Sequence, residues 1–554
     1  MDQTPKTIVT TFLDHGYLLS PDILHPLNIG SLDKEVFLNK TQQFFTNKQG
    51  PLVLTLDVSQ AIIQENTLDI NWTEFEKTRV LSEKKRNQKS YTSFLQVITK
   101  KRINTPPTLP QPTPPSLHSP LPSPEQQPTH SPLPVIITKS YTSESKHVTV
   151  KDFVSYFKHR YEFLSNILKP RPELSNVISI SRLTTHMNPY EPVAIIGSVY
   201  DKILTKSKNY LFTIEDPTGR AKVLVSQSSK DLYTAAKNTT YDEIIGVTGT
   251  IKNNLLFADS LLYPDIPTPQ TLKRAPDESY AVFISDIHVG SKLFKEKEFL
   301  AFITWLNGET GDKNQQTLVK KIKYLFIAGD LVAGVGVYPG QQENLAIPNI
   351  HDQYAALTHY LHLIRKDIAL IICPGNHDAV SLSEPQPPIL NEFSEPLRSL
   401  SHAHFVSSPS YITIHKTDTF DGFSVLLYHG SSFHYYMSSV DELLKADAKN
   451  NPAPVWKYLL KRRHLAPTHG STRHFPTSAI DYFLIDKVPD IVVNGDIHKS
   501  GFGEYHGTLI ICSSCWEDIT PFQIKVGNKP DPCHVPLLNL HTREVTILDF
   551  TTPL

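Results

Sequence analysis

Five apolar runs in the second half of the chain each end in a small polar cluster, and this pattern restricts the fold more than any other feature of the sequence. "YAVFI" leads into Ser285, Asp286, Ile287 and His288; "IKYLFIA" leads into Gly329 and Asp330; "IALIICP" leads into Gly375, Asn376, His377 and Asp378. "FSVLLY" then leads into His429 and Gly430, and "PDIVVN" into Gly495, Asp496, Ile497 and His498. Runs this short and this uniformly apolar read as strands covered on both faces, and amphipathic stretches such as "HDQYAALTHYLHLIRK" read as the covering helices. Strand ends in an α/β domain point toward one crevice, so the five clusters are predicted to converge. The tripeptide Asp-Ile-His, written at 286–288 and again at 496–498, then forms two walls of one cavity. Nothing else around the two copies repeats, which excludes an internal duplication.

Aspartate, histidine and an asparagine amide oxygen suit a pair of divalent cations about 3.5 to 4 Å apart. The absence of cysteine from the five clusters favours manganese, iron or a mixed pair over a structural zinc. Taken singly, each cluster has a bland reading, because a DxH triplet arises by chance and GD or HG pairs are common at turns. Five in order, each at a strand end, do not. The four cysteines make no disulfide framework, and Cys512 and Cys515 form a CxxC without a clean second pair, which reads as packing rather than as a zinc or redox site.

At 554 residues the chain exceeds a single core, so a multidomain α+β protein is expected. Residues 1–75 read as a small N-terminal helical module, with a helix start at Ser20 to Asp22. Residues 76–148 read as a basic and proline-rich flexible linker: "SEKKRNQKS" and "TKKRIN" form a solvated arm, and "NTPPTLPQPTPPSLHSPLPSPEQQPTHSPLP" is a semi-rigid tether that cannot build a core. Residues 149–190 read as a helical connector whose apolar stripe is Phe153, Phe157, Tyr161, Leu164 and Leu168. Over 191–267 the period changes to two, and five short strands predict a β-barrel of the OB type. Lys202, Lys206, Lys208 and Tyr210 could line a nucleic-acid groove there, although many such barrels only pack against neighbours. The α/β domain is expected over 276–554. A formal net charge of -1 gives no global electrostatic case for nucleic acid. No apolar run approaches the roughly 20 residues that cross a bilayer, so no membrane association and a cytoplasmic location are expected.

In that order, DxH, GD, GNHD, HG and a final GxH resemble the calcineurin-like metallophosphoesterase signature. Within that superfamily, "GDLVAGVGVYPGQ" from Gly329, "GNHDAVSLSEPQPPI" from Gly375 and "LLKRRHLAPTHG" from Leu459 resemble the small, exonuclease subunit of the archaeal family D DNA polymerase. The barrel and the N-terminal module fit as well, so the likeness covers nearly the whole chain apart from the tether. The YPGQ and EPQP extensions are particular to this polymerase branch.

The resemblance implies a phosphoesterase sandwich with two divalent ions, manganese first, magnesium or iron as alternatives. It places the first ion on Asp286, His288, Asp330 and His498 and the second on Asp330, Asn376 and His429, with Asp330 bridging. His377 becomes the general acid or electrostatic partner of a departing 3′ oxygen, and Asp378 the carboxylate that orients its ring. The implied activity is metal-dependent 3′ to 5′ exonuclease proofreading in DNA replication. The implied partners are a large catalytic polymerase subunit, in a heterodimer or heterotetramer, DNA with 3′ ends, and the sliding clamp through the complex. One position departs: the family pattern is GHxH, and this chain has GDIH, so Asp496 stands where an imidazole completes the second ion. Aspartate also coordinates manganese or magnesium, which would give a harder, more negative site. The competing reading is an architectural polymerase B-subunit with reduced or lost nuclease activity. A free-standing phosphatase would leave the barrel, the tether and YPGQ unexplained.

Overall fold

The computed structural model describes residues 5–15, 17–19, 34–44, 53–54, 134–142, 147–183, 192–269, 271–389, 391–476, 480–520, 523–524 and 527–552. The chain divides into two units, Met1–Glu125 and Gln126–Leu554. In the first, helices Pro5–Asp14 and Lys34–Phe44 accompany two short strands, β1 (Leu18–Leu19) and β2 (Val53–Leu54), which pair in parallel. The module is therefore not helical alone. Its buried side chains include Phe12 and Phe37, whose rings lie 5.7 Å apart. The expected helix start at Ser20 to Asp22, the basic arm and the proline tether lie outside the described residues.

The second unit opens with β3 (Ile136–Ser140), inside the stretch expected to be linker. The run Val135, Ile136, Ile137, Thr138 is rich in β-branched residues, and it docks antiparallel on a strand nearly three hundred residues later. A helix, Val150–Leu168, follows. Its buried stripe is Tyr156, Arg160, Leu164 and Leu168 rather than the fully apolar one expected, because a charged residue occupies the inner face. Arg160 is buried against Asp481: its Nε donates to Oδ2 at 2.7 Å, Nη1 donates to the Pro467 carbonyl at 2.8 Å and Nη2 to Tyr156 Oη at 2.7 Å. His464 Nε2 lies 2.8 Å from the same carboxylate oxygen.

Next comes a closed five-stranded barrel: β4 (Pro192–Leu204), β5 (Tyr210–Asp216), β6 (Gly219–Val225), β7 (Ile244–Lys252) and β8 (Leu255–Leu262), in the order β4-β5-β6-β8-β7. β4 pairs with β7 to close it, and β6 pairs in parallel with β8 across a helix, Lys230–Asn238, that precedes β7. The alternating residues Val193, Ile195, Phe212, Ile214, Val223, Val225, Ile245 and Val247 fill its interior.

The remaining strands form two sheets of six. One runs β12-β11-β10-β9-β18-β19, from β9 (Tyr280–Ile284), β10 (Ile322–Ala328), β11 (Ala369–Cys373), β12 (Ala403–Phe405), β18 (His534–Asn539) and β19 (Val545–Asp549). The other runs β16-β17-β15-β14-β13-β3, from β13 (Ser410–Ile414), β14 (Phe423–Leu427), β15 (Ile491–Asn494), β16 (Gly501–Tyr505) and β17 (Thr508–Cys512). Strands β9 to β12 are parallel neighbours, as are β14, β15 and β17.

The runs are uniformly apolar because both faces of each strand are covered. Phe283, Phe326, Ile371, Val425, Val493 and Ile511 fill the space between the sheets. Val282, Ile284, Leu325 and Leu370 point the other way, to helices Glu296–Leu306 and Ile350–His362; Leu426, Val492 and Ile510 point to helices Phe433–Ser439 and Ala453–Arg462. The "LLKRRHL" segment ties this sandwich to the barrel. Arg462, buried, pairs with Glu243 at 2.8 Å, and Arg463 donates to the carbonyls of Ile485 and Asp486 at 2.7 and 3.1 Å.

Two predictions follow from the buried ion pair. Arg160→Met leaves the Asp481 carboxylate uncompensated and should destabilise the fold by about 3 to 5 kcal/mol, read from denaturant midpoints. Burial holds His464 and His474 down at about 4, below the roughly 6.5 of an exposed histidine. As pH falls from about 6.5 toward 4 the unfolded chain takes up protons that the native state refuses, so stability should decline across that window. Denaturation at pH 7 and pH 5 measures it, and His464→Gln should reduce the difference.

Candidate metal centre

The loops after β9, β10, β11, β14 and β15 meet at one edge of the sandwich. Their backbone is unusual: Asp286, His288, Asp330, Asp496 and His498 all adopt left-handed φ, between 50° and 65°. Non-glycine residues rarely do so, and such conformations concentrate at functional sites. The two Asp-Ile-His copies share the geometry, with φ of 50° and 53° in the first and 65° and 58° in the second. They also touch. The Asp496 backbone N–H donates to Asp286 Oδ2 at 3.0 Å, and His498 Nε2 lies 3.3 Å from Asp286 Oδ1.

The other clusters close around this contact. His288 Nε2 lies 3.3 Å from His498 Nε2, 3.9 Å from Asp286 Oδ1 and 3.8 Å from Asp330 Oδ2. On the far side of Asp330, Oδ1 lies 3.4 Å from His429 Nε2, which is 3.1 Å from Asn376 Oδ1 and 3.7 Å from Asp496 Oδ1. Among the described residues, three sets of side chains have ligand atoms close enough to hold an ion: Asp286, His288 and His498; Asp286, Asp330 and His429; and His288, Asp330 and His377. Asp330 belongs to two of them. Asp496 belongs to none, although it reaches the cluster through His429.

The tautomers are set by the backbone. His429 Nδ1 lies 2.7 Å from the Ala328 carbonyl and His377 Nδ1 lies 2.8 Å from that of Ala333; each ring donates there, which leaves Nε2 as the nitrogen that can take up an ion or a proton. Burial works to raise Asp330, but His377, His429 and His288 around it outweigh that and hold its carboxyl well below the usual range. Burial and then His377 push His288 down, which keeps its ring neutral and able to ligate.

Asp378 does not orient His377, contrary to the expectation. Its Oδ2 accepts from the backbone N–H groups of Gly375 at 2.9 Å and Leu331 at 3.2 Å, and its Oδ1 from Tyr354 Oη at 3.0 Å. It pins two site loops together, while the ring is held by Ala333. Burial, then the Asp330 carboxylate, pushes Asp378 up to about 7.

Sequence reasoning missed several supporting residues. Gln341, of YPGQ, donates to the same Ala333 carbonyl that orients His377, at 2.8 Å. Gln386, of EPQP, donates to the Gly375 carbonyl at 3.3 Å, and Glu384 Oε2 accepts from Tyr428 Oη at 3.1 Å and Thr472 Oγ1 at 2.6 Å. The two extensions therefore buttress the GNHD and HG loops. His434 was missed as well: in "HGSSFHYY" it follows His429 onto the next helix, and its Nε2 reaches to 3.2 Å from Asp496 Oδ2. The four cysteines are free, and none joins a metal-holding set among the described residues.

Two observations test whether the cluster suits cations. The Asp496 carboxylate is buried beside the cluster with Oδ2 3.2 Å from His434 Nε2 and Oδ1 3.7 Å from His429 Nε2, so Oδ1 is the oxygen turned toward the other ligand atoms. Gly375 leaves space that any side chain would fill, since a Cβ there would collide with Asp330 Oδ1 and come within 2.6 Å of His429 Nε2. The residues fit.

A double sheet with helices outside and an Asp, His and Asn cluster at its strand ends defines a calcineurin-like phosphoesterase, and residues 281–500 match that family. The similarity extends beyond this domain. The DNA polymerase II small subunit of Methanothermobacter thermautotrophicus is 36% identical over 402 residues, 72% of this chain and 79% of that protein. The proteins of the same name from Archaeoglobus fulgidus and Pyrococcus abyssi are 38% and 37% identical, over 70% and 74% of this chain and 74% and 65% of their own lengths. The chain belongs to the DNA polymerase II small-subunit family. Among its described residues no helix is long and apolar enough to cross a membrane.

Gly375→Ala should weaken manganese binding by about 10 to 100-fold and also lower the melting temperature, because its Cβ must displace the Asp330 loop and the His429 ring. Isothermal titration with manganese measures this.

Proposed function

We propose that the chain is the small subunit of a two-subunit DNA polymerase and removes nucleotides from 3′ ends by metal-dependent phosphodiester hydrolysis. The observation that carries the reading is the ligand cluster itself: Asp286, His288 and His498 on one side of Asp330 and Asn376 and His429 on the other, with a histidine outside both. The first group would hold one divalent cation and the second another, with Asp330 shared and manganese the expected metal. When bound, such a pair supplies Lewis-acid activation of water and neutralises charge on a phosphate.

The remaining work belongs to the side chains. His377 is more exposed than His288 or His429, and its Nδ1 is committed to Ala333. Its Nε2 lies 3.9 Å from Asp330 Oδ2, and once that nitrogen has also taken up a proton the imidazolium would pass it to the departing 3′ oxygen. Asp378 and Gln386 hold the loop that carries it, and Gln341 fixes the carbonyl to which it is bonded. The barrel is read as an OB type from its strand order, with the parallel closing pair and the helix before the fourth strand. Its fixed attachment through Arg462 and Glu243 suits a body that presents DNA to the cluster. The names of the relatives imply a large catalytic subunit as partner.

Asp496 favours a second reading, an architectural subunit with weakened hydrolysis, because it replaces an imidazole at the second ion. The purified chain, alone and with its large subunit, should shorten single-stranded or mismatched 3′ ends with manganese. His377→Ala should lower that rate by about 10² to 10⁴-fold while manganese binding persists. A parent chain inert with manganese, magnesium and iron would establish the architectural reading instead.

A further inference from the structure

Helix Phe433–Ser439 follows directly on the His429 loop, and the side chain of His434, half exposed at its outer end, turns back toward the cluster. Its Nε2 stands 3.2 Å from Asp496 Oδ2, while the other oxygen of that carboxylate, Oδ1, lies 3.7 Å from His429 Nε2. Asp496 is thus held between two imidazoles, one within the cluster and one outside it. The position is the one at which this chain has GDIH where the resemblance to calcineurin-like phosphoesterases implies GHxH. An imidazole whose Nδ1–H is bonded, as in His429, presents one defined nitrogen, Nε2. A carboxylate has two equivalent oxygens and rotates freely, so an unheld aspartate would offer no defined ligand atom.

We propose that His434 is a positioning residue that makes Asp496 a usable ligand for the second ion. In this arrangement His434 engages one carboxylate oxygen and leaves the other facing the Asn376 and His429 side, so the pair replaces a single imidazole. The inference rests on the two-ion reading of the site but not on what the site hydrolyses. Other charged groups close to Asp496 are Asp330, His429 and Asp286, which accepts its backbone N–H, and His498 lies near His434; all belong to the cluster. His434 is the member that comes from outside it.

The test is manganese stoichiometry and affinity in the full chain, by titration calorimetry and by the electron paramagnetic resonance signal of coupled manganese pairs. The parent should bind two ions. His434→Ala should keep the first and weaken the second by about 10-fold or more, as expected for loss of an outer-sphere partner. Asp496→His should bind two ions, and in that background His434→Ala should have no further effect. Melting temperatures of all four proteins control for folding. Unchanged second-ion affinity in His434→Ala, an equal loss in both backgrounds, or a parent that binds a single ion would each overturn the proposal. Assays on 3′ ends decide the hydrolytic reading separately: a parent with two coupled ions but no hydrolysis would defeat that reading and leave the role of His434 standing.

Discussion

The site depends on one buried carboxylate. Asp286 sits at the end of β9 in the first sheet, yet its oxygens receive the backbone N–H of Asp496 and approach His498, both at the end of β15 in the second. Two stacked sheets held by apolar packing alone could slide or twist against each other with little penalty, because hydrophobic contact has no direction. A hydrogen-bonded carboxylate does have direction, and this one fixes how the two strand ends face each other. The left-handed backbone at Asp286, His288, Asp330, Asp496 and His498 costs on the order of 1 to 3 kcal/mol each, and it persists because the loops are over-determined. Asp286 N–H donates to the Gly329 carbonyl at 2.9 Å, His288 N–H to that of Asp330 at 3.1 Å, and Gly495 N–H to that of His429 at 2.9 Å.

Around that contact the molecule works as a set of braces of increasing radius. Asp378, Gln386 and Gln341 hold the loops, Glu384 ties the EPQP turn to Tyr428, and Arg462 and Arg463 lock the barrel and the following loop to helix Ala453–Arg462. Their effect is to fix side chains from two sheets a few ångströms apart, the kind of preorganisation on which electrostatic catalysis relies.

The strands and the convergence of their ends were legible because doubly covered strands leave uninterrupted apolar runs, and because polar residues at the end of such runs have few other reasons to be there. The helix over 150–168 was legible as a helix but not in its rotation: periodicity counts apolar residues, and Arg160 with Asp481 is an ion pair that buries charge on the inner face. β3 was hidden by its neighbourhood, a few β-branched residues at the end of a long proline-rich stretch. Asp378 was placed beside His377 by adjacency, whereas successive residues in a tight loop point in different directions. His434 could not be read at all, since its importance comes from a contact with Asp496 that exists only after folding.

The placement of β3 has a practical side. It occupies the rim of the second sheet beside β13, whose residues are buried throughout. A shortened version of the protein beginning at the barrel would strip that rim and bare a row of unpaired amides and carbonyls on a flat apolar strand, an open invitation to stick to its own copies. The second sheet therefore takes its edge from a segment ahead of the helix and the barrel that looks from its surroundings like spacer, and trimming studies of this subunit would do well to keep it.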